Sequence, residues 1–153
     1  DIFNEIRKDY PDIQSDHLYV DACSMQLVKR PESFGVLVST NMFGDIISDI
    51  GAQIVGGLGL AESGNIHPGK ISLFEPVHGS APKYAGKNVA NPFAAVLSMA
   101  LLLKNNNKQK EAMLLNNAVT DLLKENKSTV DLGGNLGTSE VNDQLLSRLN
   151  QLS

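Results

Sequence analysis

Three strand-like runs, none longer than five residues, are all the β structure that this chain of 153 residues offers. Residues 17–21 (His-Leu-Tyr-Val-Asp) read as a short strand. Residues 34–38 (Phe-Gly-Val-Leu-Val) form a continuous apolar run of buried-strand length, and residues 71–74 a third run. So few short strands are thin for an independent sheet, which needs several paired strands and a covered face. Helical patterns surround them. Ile2, Phe3, Ile6 and Tyr10 have helical spacing that ends at Pro11. Met25, Leu27 and Val28 lie on a predicted helix over 22–29, and Ser39, Thr40 and Asn41 are candidate caps for one from Met42 to about Val55. Helices are predicted again over 92–104, 108–125 and 139–152, with Pro92 in a first turn behind an Asn91 cap. Strand–helix alternation followed by helices predicts the α/β class.

Composition narrows the function. A hydrophobic fraction of 42% and a charged fraction of 20% are those of a soluble globular chain. The net charge is −4 and no basic cluster exceeds Lys29-Arg30, which argues against nucleic acid, whose binding needs a basic stripe. The apolar runs 46–60 and 94–103 are broken or too short to span a membrane. The single cysteine, Cys23, has no disulfide partner within the chain and reads as a small buried apolar residue, which fits a reducing, cytoplasmic setting. The chain opens at Asp1-Ile2-Phe3 within a helical pattern and without an initiator Met, so a fragment is expected.

Two stretches carry chemistry. In Asn41-Met42-Phe43-Gly44-Asp45-Ile46-Ile47-Ser48-Asp49, the two aspartates are four residues apart and share one helix face. Like charges so placed repel unless a cation compensates, and paired carboxylates suit Mg²⁺ or Mn²⁺. The same spacing is also that of a solvated helix face, although Ile46, Ile47 and Ile50 leave only a narrow polar strip. The second stretch, residues 75–92, contains Glu75-Pro76-Val77-His78-Gly79-Ser80-Ala81-Pro82-Lys83-Tyr84 and reaches Asn91-Pro92. It shows little periodicity and reads as a long ordered loop, a feature that is usually functional in a compact domain. A glycine-bearing loop beside a helix start lets backbone N–H groups approach a phosphate or ribose; a structural turn with a surface histidine is the other reading. No G-x-G-x-x-G follows a strand, so the Rossmann fingerprint is absent.

These two stretches, with Asp131-Leu132-Gly133-Gly134 and Gly137-Thr138 behind them, closely resemble the isocitrate/isopropylmalate dehydrogenase family, and the resemblance runs essentially end to end. It implies an incomplete isopropylmalate dehydrogenase-like fold, not Rossmann, with a mixed sheet and helices. Residues 1–70 would be the C-terminal part of the small, dimerising, metal-binding domain, and residues 71–153 the C-terminal part of the large cofactor-binding domain. Members are homodimeric β-decarboxylating dehydrogenases that use Mg²⁺ or Mn²⁺ and NAD or NADP. Asp45 and Asp49 match metal-binding aspartates, and Asp21 the aspartate that reaches the neighbouring subunit's metal site. His78, Gly79, Ser80, Ala81 and Pro82 match the loop around the cofactor's adenosine, Asn91 lies near its adenine, and Glu75 matches an acid near the nicotinamide. The implied chemistry is hydride transfer from C2 of a 2-hydroxy acid, after which the metal polarises the new carbonyl and stabilises the enolate left by CO₂.

The family's substrate arginines, catalytic tyrosine and catalytic lysine lie upstream of the segment matching Asp1, so the isolated chain is expected to be inactive. Lys83-Tyr84 is the pair seen in NADP-dependent isocitrate dehydrogenases, and a cation there suits a 2′-phosphate. Val130-Asp131-Leu132-Gly133-Gly134 has the form common in NAD users, so NADP or dual use is expected. The substrate class is 3-isopropylmalate or isocitrate, with tartrate and malate open through the likeness of residues 57–65 to other members. A non-catalytic regulatory or nucleotide-binding subunit is the alternative; such subunits tend to lose the metal aspartates, which are kept here. Val28, Ile46, Ile47 and Ile54 are expected to face a second copy. Met99 to Leu103, with Leu114, Leu115, Leu122 and Leu123, are expected in the core.

Overall fold

A computed structural model describes residues 2–152. The chain divides into two compact units, one ending at Gly51 and the other beginning at Ala52. The first holds α1 (Ile2–Ile6), α2 (Val20–Lys29) and most of α3 (Asn41–Ile54). The second holds the strands β1 (Glu62–Asn65) and β2 (Leu73–Pro76), then α4 (Phe93–Asn105), α5 (Gln109–Lys124) and α6 (Thr138–Leu152). No described helix is long and apolar enough to cross a membrane.

Among the described residues of the first unit, only Cys23 and Leu27 are buried apolar side chains, both on α2, so the cysteine is a packing residue as expected. Residues 17–21 are not a strand. Tyr19 is extended at φ −70°, ψ 151°, and α2 begins at Val20, which puts Asp21 in a helical first turn. A carboxylate is favoured there by the partial positive charge of the helix start. Residues 34–38 do not form a strand either. They follow the one-turn 3₁₀ segment Pro31–Ser33 as exposed, irregular chain, and Val36 and Val38 are 89% and 88% exposed. An extended run becomes a strand only when a neighbour accepts its backbone hydrogen bonds. Among the described residues none pairs with it.

The second unit has a core. Phe93 of α4, Ala118, Val119 and Leu122 of α5, and Val141 and Leu145 of α6 form one buried cluster. Leu60, Val96, Leu97, Leu123, Leu132, Leu136 and Leu149 pack around it. Each fully buried large side chain contributes roughly 1.5–3 kcal/mol of burial free energy. Asn91 Oδ1 accepts the Phe93 backbone N–H at 2.9 Å, the cap expected from the sequence. Met99, expected in the core, is half exposed, because on this helix Ser98 and Ala100 are the buried positions.

The sheet differs from the expected mixed one. Among the described residues it has two strands, antiparallel, with Ser63 opposite Glu75 and Gly64 opposite Phe74. Its first strand lies in the stretch expected as loop, and its second begins two residues later than expected. Gly64 explains part of this: a Cβ there would lie 3.1 Å from the Phe74 ring and 3.3 Å from Leu101, so glycine lets the strand approach both. The glycines at 133 and 134 also have distinct jobs. Gly133 is left-handed at φ 82° and ends the 3₁₀ turn Val130–Leu132, while a Cβ on Gly134 would sit 2.0 Å from the Ser128 carbonyl oxygen.

Candidate functional site

The carboxylates expected at a metal lie in the first unit, and all three are exposed. Asp45 and Asp49 stand one turn apart on α3, and Asn41 Nδ2 donates to Asp45 Oδ2 at 3.0 Å. Asp21, on α2, accepts the Ala22 backbone N–H at 2.8 Å. No group of three or more His, Cys, Asp or Glu side chains gathers around a common point among the described residues. The donor chemistry on α3 suits a hard divalent cation, since both groups are carboxylates without a soft ligand. Two carboxylates fill only part of an octahedral shell.

The expected cofactor loop lies wholly in the second unit and bounds a cleft of about 500 Å³. His78, Gly79, Ser80, Ala81 and Tyr84 line one side, all expected from the sequence. Ala85, Gly86, Asn88, Val89, Ala90, Thr138 and Ser139 complete it, and these were not. Ala81 is left-handed at φ 42° and begins the 3₁₀ turn Pro82–Tyr84. A non-glycine residue held there costs energy, a form of strain that concentrates at binding sites. His78 is half-buried, and its Nδ1 lies 3.0 Å from the Gly79 carbonyl oxygen. A carbonyl only accepts, so this contact makes Nδ1 the donor. Residues 77–92 contain Lys83 and Lys87 and no acid, in a chain of net charge −4. That local surplus favours an anionic ligand.

Pro82, Lys83, Glu75 and Asn91 do not line the cleft. The Lys83 ammonium stacks over the ring of Tyr84, a lining residue, at 4.8 Å in a cation–π contact. Glu75 is exposed on β2. Both ends of the Asn91 amide are engaged within the chain. Oδ1 caps α4, and Nδ2 donates to Asp131 Oδ2 at 3.0 Å, while Asp131 Oδ1 accepts the buried Thr129 hydroxyl. Gly59 passes so close that a Cβ would lie 2.6 Å from Asn91 Nδ2 and 2.8 Å from Asp131 Oδ2.

A chain that carries paired aspartates on a helix of its first unit, and this loop with a two-stranded sheet in its second, has a match among known families. The family model described as isocitrate/isopropylmalate dehydrogenase matches residues 1–145, and the chain belongs to that family. It is 48% identical over 149 residues to 3-isopropylmalate dehydrogenase of Methanothermobacter thermautotrophicus, covering 97% of this chain and 45% of that protein. It is 50% identical over 147 residues to homoisocitrate dehydrogenase of Methanocaldococcus jannaschii, covering 96% of this chain and 42% of the relative. The crystal structure of isocitrate dehydrogenase from Methylococcus capsulatus matches at a TM-score of 0.92 and 42% identity, over 98% of this chain and 45% of that one. The chain therefore spans less than half the length of these relatives.

Proposed function

We propose that this chain supplies the cofactor loop and metal aspartates of an NAD(P)-linked, metal-dependent dehydrogenase that oxidises and decarboxylates a 2-hydroxy di- or tricarboxylic acid. The observation that carries the reading is the cleft. Residues matched to the family's adenosine loop, His78 to Ala81 and Tyr84, line one side of a single cavity. After Glu75 and up to Pro92, its loop has two lysines and no acid. The relatives' names fit, being those of 3-isopropylmalate, homoisocitrate and isocitrate dehydrogenases. In this reading residues 1–70 belong to the small dimerising domain and 71–153 to the cofactor domain.

Each residue then has a task. Gly79 and Ser80 bring backbone close to the nucleotide, Tyr84 and His78 offer ring faces to it, and Lys83 places a cation at the rim, where an adenosine 2′-phosphate would be met. NADP or dual use follows from that cation. Pro82 holds the 3₁₀ turn that presents Lys83 and Tyr84, Asn91 braces the loop's end, and Glu75 stands near the nicotinamide. Asp45 and Asp49 would hold Mg²⁺ or Mn²⁺ from one subunit and Asp21 would contribute to the site of a second copy. The ion, when bound, supplies Lewis-acid stabilisation of charge developing on the substrate oxygen. Exposed Val28, Ile46 and Ile54 suit burial against that second copy, as does half-buried Ile47. A cytoplasmic setting accords with a buried free thiol at Cys23.

The family's catalytic tyrosine and lysine match no position in this chain, so the chain alone is proposed to lack turnover. The test is calorimetric titration of the purified chain with Mn²⁺ and with NADPH, alongside dehydrogenase assays with isocitrate and 3-isopropylmalate. Mn²⁺ binding lost in Asp45→Asn and Asp49→Asn, NADPH binding weakened in Lys83→Asp, and no turnover would support the reading. Turnover at ordinary enzyme rates would remove the inactivity claim, and NADPH binding indifferent to Lys83 would remove the rim assignment.

A further inference from the structure

The start of α6 is fastened to the cofactor loop by backbone contacts and by the side chains of Asn88 and Thr138. Asn88 is left-handed at φ 54°, a conformation that asparagine tolerates better than most residues. Its side-chain Oδ1 accepts two hydrogen bonds from the first turn of α6, 51 residues away: Ser139 backbone N–H at 2.9 Å and Ser139 Oγ at 2.9 Å. Its backbone oxygen accepts the Thr138 N–H at 3.0 Å, and the Thr138 hydroxyl donates to the Ala90 carbonyl oxygen. Gly137 allows this approach, because a Cβ there would lie 2.5 Å from Asn88 Nδ2 and 2.8 Å from Asn88 O. Asn88, Ala90, Thr138 and Ser139 all line the cleft.

We propose that Asn88 is the positioning residue of this cleft. Its left-handed backbone turns the chain after Lys87, and its carboxamide oxygen locks that turn to α6, so loop and helix present one rigid wall to the ligand. The geometry stands by itself; the identity of the ligand rests on the cofactor reading above. The carboxamide oxygen satisfies donors at a helix start that would otherwise lack a partner. Without it, the loop gains conformations that do not bind, and affinity falls by the fraction of chain remaining competent.

Helix stability is a separate matter. Glu140 Oε2 accepts the Gly137 N–H at 2.7 Å, a second cap on α6 that does not involve the loop. Glu140→Ala therefore loosens α6 as a control while leaving Asn88 in place.

The experiment titrates the purified chain with NADPH and with uncharged adenosine, and follows backbone amide exchange by NMR. Variants are Asn88→Gly, which keeps the left-handed turn and loses the side chain, Asn88→Asp, which keeps the acceptor, and Glu140→Ala. Asn88→Gly is expected to weaken both ligands by roughly tenfold, the scale of two lost hydrogen bonds that are partly exposed to water, and to speed exchange at Thr138, Ser139 and Lys87. Asn88→Asp is expected to restore adenosine binding to within about twofold. Glu140→Ala is expected to melt early yet bind as the parent does.

Parent-like binding by Asn88→Gly overturns the proposal. So does equal weakening by Glu140→Ala, which would make the effect one of helix stability. Failure of Asn88→Asp to restore adenosine binding would make the amide nitrogen a direct ligand contact, and also overturns it. If the parent binds neither probe, the cofactor reading fails separately. Exchange at Lys87 then decides: acceleration in Asn88→Gly but not in Glu140→Ala supports the positioning role, and no acceleration overturns it.

Discussion

Replacing Asn91 by alanine removes two hydrogen bonds, one local cap on α4 and one tie to a residue 40 positions away. The first is the cap on Phe93 N–H at 2.9 Å, which opens the helix contributing the fully buried Phe93. Loss of such a cap costs about 1 kcal/mol. The second is the bond to Asp131 Oδ2 at 3.0 Å. A bond to a charged partner is worth about 1.5–3 kcal/mol when well shielded, and this one is exposed, so about 1 kcal/mol is the better figure. The sum, about 2 kcal/mol, lowers the melting temperature by about 10 °C for a unit of roughly 100 residues. Asn91→Ser, which keeps a cap acceptor but is too short for Asp131, is expected to lose about half of this. Urea melts of the parent, Asn91→Ala, Asp131→Ala and the double variant, followed by circular dichroism, give the coupling energy directly. Asp131→Ala also strands the buried Thr129 hydroxyl, a cost present with and without Asn91 that cancels in the cycle. A coupling of about 1 kcal/mol is expected; additivity within about 0.3 kcal/mol would refute the tie.

Two further outcomes follow from charge and exposure. Glu125 is held below the usual carboxylate range, first by its hydrogen bond with Lys127 and next by Arg148, which also reaches Asp121 at 3.2 Å. A depressed folded pKa contributes stability above the unfolded value of about 4.3 and loses it as pH falls through the folded one. Acid titration of stability should therefore be shallower in the Lys127→Ala/Arg148→Ala double variant, and an unchanged slope would remove this ion pair as its cause. Among its described residues the first unit buries only the apolar side chains of Cys23 and Leu27 and exposes Met25, Val28, Met42 and Ile46, so the chain is expected to self-associate. Light scattering should show a dimer that Val28→Glu/Ile46→Glu converts to monomer, whereas a monomer at hundreds of micromolar would count against the interface.

The helices were legible because their signals are local. Pro11 and Pro31 stop helical patterns, Asn91 caps α4 two residues away, and the apolar faces of α4, α5 and α6 repeat within a few residues. The loop side of the cleft was legible for a similar reason, since His78 to Tyr84 form one contiguous stretch. Residues 17–21 and 34–38 misled because an apolar run specifies extended chain and leaves its hydrogen-bonding partner unspecified. The strand at Glu62–Asn65 escaped notice for the converse reason: Glu-Ser-Gly-Asn has little strand propensity, and pairing with Leu73–Pro76 makes it one.

What the sequence by itself determined is therefore the family, the helical segments and the loop that carries the proposed cofactor chemistry. The tertiary structure alone decided that Asn88 meets Ser139 and that Asn91 meets Asp131, pairs 51 and 40 residues apart. A cap or a helical face depends on neighbours within one turn, and so it can be read along the chain. Contacts between distant residues exist only after α4, α5 and α6 have closed on Phe93, Leu122 and Val141, because burial of that core brings segments far apart in the chain together.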